Sequence, residues 1–291
     1  MEEKLIGIIG GTGLEDSLAK HLSQIETVQI DTPFGRPSSS ITVGTINHNK
    51  VALLNRHGPG HHLSPSEVPY RANVFALKKL GVRTLISSGA VGSLRQEIKP
   101  GDLILADQFI DKTYKRENTF FTGFAAVHCE FAQPTCDKLR TVLHKTAADL
   151  GLAVHPGGTY VCMEGPQFST RAESLMHRAW GGDLIGMTAL PEARLAREAQ
   201  MCYALVALAS DYDCWRKHKD SKNKQTLLKE IIANLRVATD NCLKLLGAVL
   251  ASDSRLLFDD CTCRRSLDLA VWTSNDHIDA RAREKLSVLF E

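Results

Sequence analysis

Asp211 and Asp213 are the residues of this 291-residue sequence best suited to acid–base chemistry. In an extended segment, residues two apart point to the same side, so both carboxyl groups are expected to face one region. Two ionised carboxylates repel each other, which raises one pKa and lets that group hold a proton near neutral pH. Such a group can protonate a leaving group or hydrogen-bond a nitrogen-rich ring. A solvated loop is the alternative, but the apolar run from Tyr203 to Ala209 before the pair favours a buried site.

A glycine-rich segment, residues 10–13, follows an apolar run, which is where a phosphate-binding loop would lie. Its backbone N–H groups and the Thr12 hydroxyl can donate hydrogen bonds to an anion. The segment does not match the G-x-x-x-x-G-K-[ST] pattern, and Asp16 stands where the third glycine of G-x-G-x-x-G would fall. A phosphate loop and a plain tight turn both remain open, whereas a nicotinamide-dependent dehydrogenase is disfavoured.

Arg56 and His57 end another apolar run and supply a second set of groups for an anion. The guanidinium is a permanent cation whose fork matches phosphate oxygens, and the imidazole is a titratable hydrogen-bonding group. His61 and His62 follow closely, but no further ligand stands at a spacing typical of a metal site. A phosphate site and a surface Arg–His pair are the two interpretations.

Strand-like apolar runs must position these groups. Five such runs alternate with helix-like segments, and each ends in small or polar residues; they are 5–9, 51–54, 84–86, 184–185 and 204–209. This alternation predicts a single-domain α/β fold with a mixed, largely parallel central sheet flanked by helices. Ligand sites lie at the carboxyl ends of strands in such sheets, so we expect the five ends to converge on one pocket.

Three helical signals support this prediction. Thr170 and Glu173 have the spacing of a capping box, and apolar residues from Leu228 to Val249 recur at helical intervals. A further helix is predicted near residues 279–289. We predict a catalytic domain over residues 1–251 and a C-terminal extension over 252–291 that packs on it.

Composition limits the class of protein. Lys and Arg number 35 against 33 Asp and Glu, so the charge excess expected of a general nucleic-acid or membrane-surface binder is absent. We find neither a bilayer-spanning apolar run nor a secretory signal. The eight scattered cysteines suit a reducing cytoplasm. Cys261 and Cys263 could form a strained disulfide, but they lack the second close pair of a zinc site.

Taken in order, these clusters resemble the trimeric purine nucleoside phosphorylase family. The matching segments run colinearly over about residues 4–250; they are 10–14, 31–35, 56–58, 90–94, 100–102, 107–111, 164–173, 187–192 and 210–215. The resemblance implies the nucleoside phosphorylase fold and cleavage of a purine N-glycosidic bond by inorganic phosphate, a co-substrate. It also implies a homotrimer with shared active sites, no metal or organic cofactor, and no nucleic-acid or membrane partner.

The resemblance also implies roles for individual residues. Phosphate binding falls to Thr12, Arg56, His57, Gly89, Ala90 and Thr188. Nucleoside binding falls to Phe168, Ser169, Met187, Asp211, Tyr212, Asp213 and His128, the last reaching a neighbouring subunit's site. The expected catalytic residues are Asp211, Asp213 and His57, with Asp211 protonating the purine. Specificity is expected to rest on Ser169 and Lys224.

The acid pair predicts a 6-aminopurine, because carboxylates accept hydrogen bonds from an amino group, whereas a 6-oxo group would stay unpaired. Relatives that cleave 6-oxopurine nucleosides carry Asn where this chain has Asp213. Gly186, in place of Asn, instead resembles that 6-oxopurine branch. Gly89 replaces a threonine, and Lys224 replaces a valine in the wall around the 5′ substituent. A 6-oxopurine phosphorylase and a non-catalytic nucleoside sensor are therefore the alternatives.

Overall fold

The computed structural model describes residues 5–11, 13–216, 224–252 and 260–290. Eleven strands form one sheet in this part of the chain. In chain order they are β1 (Leu5–Gly10), β2 (Ser23–Val28), β3 (Ile41–Ile46), β4 (Asn49–Asn55), β5 (Val82–Ser93), β6 (Leu103–Ala106), β7 (Gln108–Lys112), β8 (Val154–His155), β9 (Thr159–Met163), β10 (Leu184–Gly186) and β11 (Cys202–Asp211). All five predicted strands are therefore present.

The long strand β5 organises the sheet. Its first part lies between β1 and β11 and is parallel to both, and its last residues pair with β10. Six of the ten strand pairs among the described residues are parallel, which confirms the mixed, largely parallel sheet. β1 and β11 are buried almost throughout, as parallel strands covered on both faces should be.

The direction of β10 differs from the expectation that the carboxyl ends of all five strands converge because the strands are parallel. β10 is antiparallel to β5, with Leu184 opposite Ser93 and Ile185 opposite Gly92. The residues after β10 consequently run back along β5 toward Gly89. The end of β10 still reaches the predicted pocket. It does so because β5 extends past the end of β1, not because β10 runs in the same direction as β5.

Seven α-helices flank the sheet in the described ranges. They are α1 (Leu14–Ala19), α2 (Tyr70–Lys79), α3 (Asp137–Asp149), α4 (Arg171–Ala179), α5 (Glu192–Glu198), α6 (Lys224–Ala251) and α7 (Ala280–Lys285). α4 begins with the predicted capping box: the Glu173 N–H donates to Thr170 Oγ1, and the Thr170 N–H donates to the Glu173 carboxylate. α6 confirms the predicted long helix, although Leu228 and Ile232 in its first half are largely exposed.

The core occupies both faces of the sheet, because alternate residues of each strand point to opposite sides. Along β1, Leu5 and Ile9 pack with α2 and α5, whereas Ile6 and Ile8 pack with α1, α3 and α6. Leu289 joins the first of these clusters, so residues 260–290 pack on the same globule. Within the described ranges, no helix is both long enough and apolar enough to cross a membrane.

Candidate active site

Three of the predicted phosphate-binding residues meet at Gly89 on β5. A Cβ added to Gly89 would lie 3.2 Å from Thr188 Oγ1 and 3.9 Å from Arg56 Nη1. β4 delivers Arg56, and the segment after β10 delivers Thr188. Ala90 follows on β5 and is exposed. Thr12 lies outside the described residues.

Arg56 is a fixed positive charge inside this cluster. Its side chain is 1% exposed; Nε and Nη2 donate to the two Glu192 oxygens at 3.0 and 3.3 Å, and Nη1 donates to the Ser88 carbonyl at 2.8 Å. Burial opposes the charge, but the Glu192 carboxylate outweighs it and raises the pKa of Arg56. Nη1 has two N–H groups, and its hydrogen bond to Ser88 uses one. The other can donate to an anion beside Gly89.

Glu192 is a positioning residue whose role sequence reasoning missed. Besides Arg56, its Oε1 accepts hydrogen bonds from the Ser87 hydroxyl at 2.5 Å and from the Tyr203 hydroxyl at 3.0 Å. Both oxygens are therefore occupied by donors from β5, β11 and the end of β4. The only sequence signal was its place at the end of a segment shared with the family.

His57 is neutral in this arrangement and adds no positive charge. Burial and the neighbouring Arg56 charge lower the pKa of His57 to about 4. Its Nδ1 lies 2.8 Å from the Leu63 carbonyl, which can only accept, so Nδ1 carries the proton and Nε2 is an acceptor. The sequence assigns His57 to the phosphate site as a titratable hydrogen-bonding group, and this geometry favours a hydrogen bond over a positive charge. A neutral His57 can instead accept a hydrogen bond from a protonated phosphate oxygen.

The two acids lie beside the same strand, three residues beyond Gly89. A Cβ on Gly92 would lie 3.3 Å from Asp211 Oδ1 and 3.2 Å from Asp213 Cβ. The Asp211 carboxylate accepts hydrogen bonds from the Ser210 hydroxyl at 2.7 Å and from the Asp213 backbone N–H at 2.6 Å. The acid pair and the anion cluster therefore occupy neighbouring positions along β5.

The argument that placed both acids on one side of a strand is wrong, although the acids are adjacent. β11 ends at Asp211, and Asp213 has φ 48° in the left-handed region, so the chain turns between them. Burial, with a contribution from the Asp211 charge, raises the pKa of Asp213. Asp213 Oδ2 is buried and has no hydrogen-bond partner among the described residues. The sequence predicts a raised pKa for one of the two acids, and at Asp213 burial is a larger cause of it than the charge repulsion on which that prediction rests.

A buried ion pair fixes the backbone around Thr188. Arg116 and Glu164 lie 3.3 Å apart, with side chains 1% and 5% exposed. Arg116 Nη1 donates to the carbonyls of Met187 and Leu190, both at 2.6 Å, so it holds the chain on either side of Thr188. The sequence around Arg116 carries no motif, and this role was not predicted.

The residues predicted to surround the base are only partly assembled. The Ser169 carbonyl accepts a hydrogen bond from the Cys214 thiol at 3.2 Å, so Ser169 lies next to the acid pair. Phe168 is 86% exposed. The Tyr212 hydroxyl donates to the Gln96 carbonyl at 3.3 Å. A single chain therefore places Ser169 by the acids and leaves the Phe168 ring uncovered.

Two further predicted residues lie apart from this cluster. His128 is exposed and packs edge-on against Trp272, with ring centroids 5.3 Å apart. Lys224 is the exposed first residue of α6, and residues 217–223 before it are not among those described. Their roles in a neighbouring site and in 5′ specificity stay predictions.

The Tyr160 ring packs directly against Gly186, next to Thr188. The Thr188 N–H donates to the Tyr160 hydroxyl at 3.3 Å. A Cβ at position 186 would overlap that hydroxyl and lie 2.5 Å from the ring carbon Cζ. Tyr160 is 1% exposed and cannot move aside into solvent. Gly186 is therefore required by the Tyr160 ring, which fills the space that an asparagine would need.

We expect Gly186→Ala to lower the free energy of unfolding by about 1–3 kcal/mol, because the added methyl overpacks a closed space. In a Tyr160→Leu background the same change should cost less, because the ring is gone. Urea unfolding of the two single variants and the double variant measures the coupling. An equal loss of unfolding free energy in both backgrounds would contradict the direct packing of Tyr160 against Gly186.

The sequence of this chain is similar to those of known enzymes. The profile of the phosphorylase superfamily matches residues 5–251. The chain is 43% identical to the S-methyl-5′-thioadenosine phosphorylase of Geobacter sulfurreducens over 288 residues, covering 99% of this chain and 98% of the relative. It is 46% identical to the protein of that name from a Synechocystis species over 287 residues, covering 98% and 86%.

Solved structures give the same result. A crystal structure of a methylthioadenosine phosphorylase from an Antarctic soil metagenomic library superposes with a TM-score of 0.89, at 41% identity, over 98% of each chain. The methylthioadenosine phosphorylase of Schistosoma mansoni in complex with adenine gives a TM-score of 0.78 at 35% identity, over 84% of this chain and 90% of that one. The similarity thus extends over almost the whole fold.

Proposed function

Because the chain belongs to the phosphorylase superfamily, we propose that it cleaves 5′-methylthioadenosine with inorganic phosphate, giving adenine and 5-methylthioribose 1-phosphate. Near full-length relatives carry the name of this activity. The chain is thus a purine nucleoside phosphorylase, a pentosyltransferase. As proposed, the reaction takes phosphate as its co-substrate and uses no metal or organic cofactor.

The arrangement of two groups along β5 carries the proposal. Arg56 and Thr188 meet at Gly89, and the acids meet at Gly92. Three residues of a strand span about 10 Å at about 3.3 Å per residue. The proposal places the sugar between the anion site and the acid site, with the phosphate at Gly89 and the purine at the acids.

Phosphate bound beside Gly89 would attack C1′ of the sugar as the bond from C1′ to N9 of the purine breaks. C1′ becomes cation-like in the transition state, so an anion held beneath it stabilises the developing charge. Arg56 fixes the phosphate, and its own position is fixed by Glu192. His57, neutral at pH 7, would accept from a protonated phosphate oxygen and so orient the nucleophile.

The electrons of the breaking bond pass to the purine, which leaves more easily if it gains a proton. Asp211 is our candidate for donating that proton, and Asp213 is expected to accept from the 6-amino group. Burial raises the pKa of Asp213, which favours the protonated form of this acid. A 6-oxopurine would leave its carbonyl without a donor here, which costs about 1–3 kcal/mol.

A 6-oxopurine nucleoside phosphorylase acting on inosine, guanosine or 5′-methylthioinosine is the second candidate, because Gly186 resembles that branch. A substrate panel at fixed phosphate decides between the two. We expect adenine release from 5′-methylthioadenosine to require phosphate and to exceed base release from 5′-methylthioinosine, which differs only at the 6-position, in kcat/KM by about 5- to 150-fold, the ratio that corresponds to about 1–3 kcal/mol.

Three outcomes would contradict the proposal in different ways. Release without phosphate would indicate a hydrolase, and a preference for inosine would favour the second candidate. Calorimetric binding of nucleoside without turnover would indicate a sensor. Comparing adenosine with 5′-methylthioadenosine in the same panel measures the 5′ preference, in which Lys224 is expected to take part.

We also infer a homotrimer with shared sites and a cytoplasmic location. Exposed Phe168 and His128 offer surfaces that a neighbouring subunit would cover. Among the described residues, which include all eight cysteines, no disulfide is present, as is typical of proteins in a reducing compartment. Light scattering on the purified protein measures the subunit number, and a monomer at working concentrations would contradict the shared site.

A further inference from the structure

Four buried cysteines lie together outside the candidate active site. Their Sγ atoms all lie within 4.8 Å of one another, and each side chain is at most 5% exposed. Cys136 precedes α3, Cys202 begins β11, and Cys261 and Cys263 belong to the C-terminal segment. The expectation that Cys261 and Cys263 lack partners considered only cysteines close in sequence. The fold supplies the second pair, Cys136 and Cys202, although these two residues are 66 positions apart in the sequence.

The sulfur separations fit a tetrahedral metal site. Zinc–sulfur bonds of about 2.3 Å place the sulfurs of a four-cysteine site about 3.8 Å apart. Cys136 Sγ and Cys261 Sγ lie 3.6 Å apart, whereas bonded sulfurs lie about 2.05 Å apart. Closing the remaining sulfurs onto one ion needs only small movements, because all four already share one volume.

The surroundings of the cluster favour thiolates. Arg197 Nη1 lies 4.0 Å from Cys263 Sγ, and Cys136 caps the N-terminus of α3, where the helix dipole favours negative charge. Four thiolates around a divalent ion carry a charge of −2, which these groups partly offset.

We propose that Cys136, Cys202, Cys261 and Cys263 bind one zinc ion, which fastens the C-terminal segment to α3 and β11. Such closed four-cysteine sites are structural, because no coordination position stays open for a substrate. The proposal is independent of the phosphorylase activity, and its test does not use turnover.

The test measures metal content after expression with added zinc and purification under reducing conditions. We expect about one zinc per chain in the wild type and none in Cys263→Ala, as a closed four-ligand site requires. Cys242→Ala is the matched control, because Cys242 is fully buried but lies outside the cluster. Cobalt added to the zinc-free wild type should give the strong visible absorption of tetrahedral cobalt thiolate.

Three results would overturn the proposal: wild type without zinc or a cobalt spectrum, equal zinc loss in Cys242→Ala, or an intact mass showing that the four thiols are paired as disulfides. The wild-type cobalt spectrum keeps the test valid if Cys263→Ala folds poorly. Zinc removal by a chelator should also lower the melting temperature of the wild type and leave that of Cys263→Ala unchanged.

Discussion

Asp211→Asn is expected to lower kcat for 5′-methylthioadenosine by about 10²–10⁴-fold, the usual contribution of a general acid. Asn has the shape of Asp, so its Oδ1 can accept the Asp213 N–H, and its amide can donate to the Ser210 hydroxyl. The turn after β11 is therefore retained. The amide can hydrogen-bond a purine nitrogen but cannot transfer a proton to it, so chemistry suffers more than binding.

Asp213→Asn is the matched comparison. Asp213 is expected to accept a hydrogen bond from the 6-amino group of the purine. Loss of its carboxylate should therefore reduce the preference for the 6-amino substrate over inosine. It should also lower kcat less than Asp211→Asn does. Steady-state kinetics of both variants on both nucleosides separates the roles. A larger loss of kcat in Asp213→Asn would show that the acid with the raised pKa is itself the proton donor.

The fold was largely predictable because its signals are local. The strand runs are uninterrupted apolar segments, and β1 and β11 are buried as such runs require. The capping box at Thr170 is a short-range pattern with its own hydrogen bonds, and the structure reproduces it. Local patterns fix which segments are strands and helices. They do not fix direction, so the reversed course of β10 was not foreseen.

The candidate site was predictable only where one residue type implies its chemistry. Arg56 suits an anion wherever it lies, but its partner Glu192 is 136 positions away in sequence. The fit of Tyr160 against Gly186 likewise depends on β9 and β10 being neighbours. Asp213 departs from strand alternation because it adopts a positive φ, which no pattern around it signalled. These features arise from tertiary packing, where spacing along the chain carries little information.

Glu192→Gln is expected to lower the free energy of unfolding by about 3–5 kcal/mol, because it removes one charge of a fully buried ion pair. Both side chains are 1% exposed, so water cannot replace the carboxylate beside Arg56. The amide also presents a donor where Oε1 or Oε2 now accepts. Arg56 should consequently shift, so KM for phosphate rises while KM for the nucleoside changes little. A merely structural role would not produce this split.

Glu198→Gln in the same helix is the control for this change. Glu198 is also buried, but burial raises its pKa to about 7, so it is partly neutral at pH 7 in the native protein. The Phe120 N–H that donates to Glu198 can equally donate to an amide oxygen. We therefore expect a cost of at most about 1 kcal/mol, because no buried cation loses its partner. Chemical denaturation of both variants, with phosphate titrations, measures the difference. Equal costs would mean that Glu192 contributes packing rather than charge, and Arg56 would then need another source of its orientation.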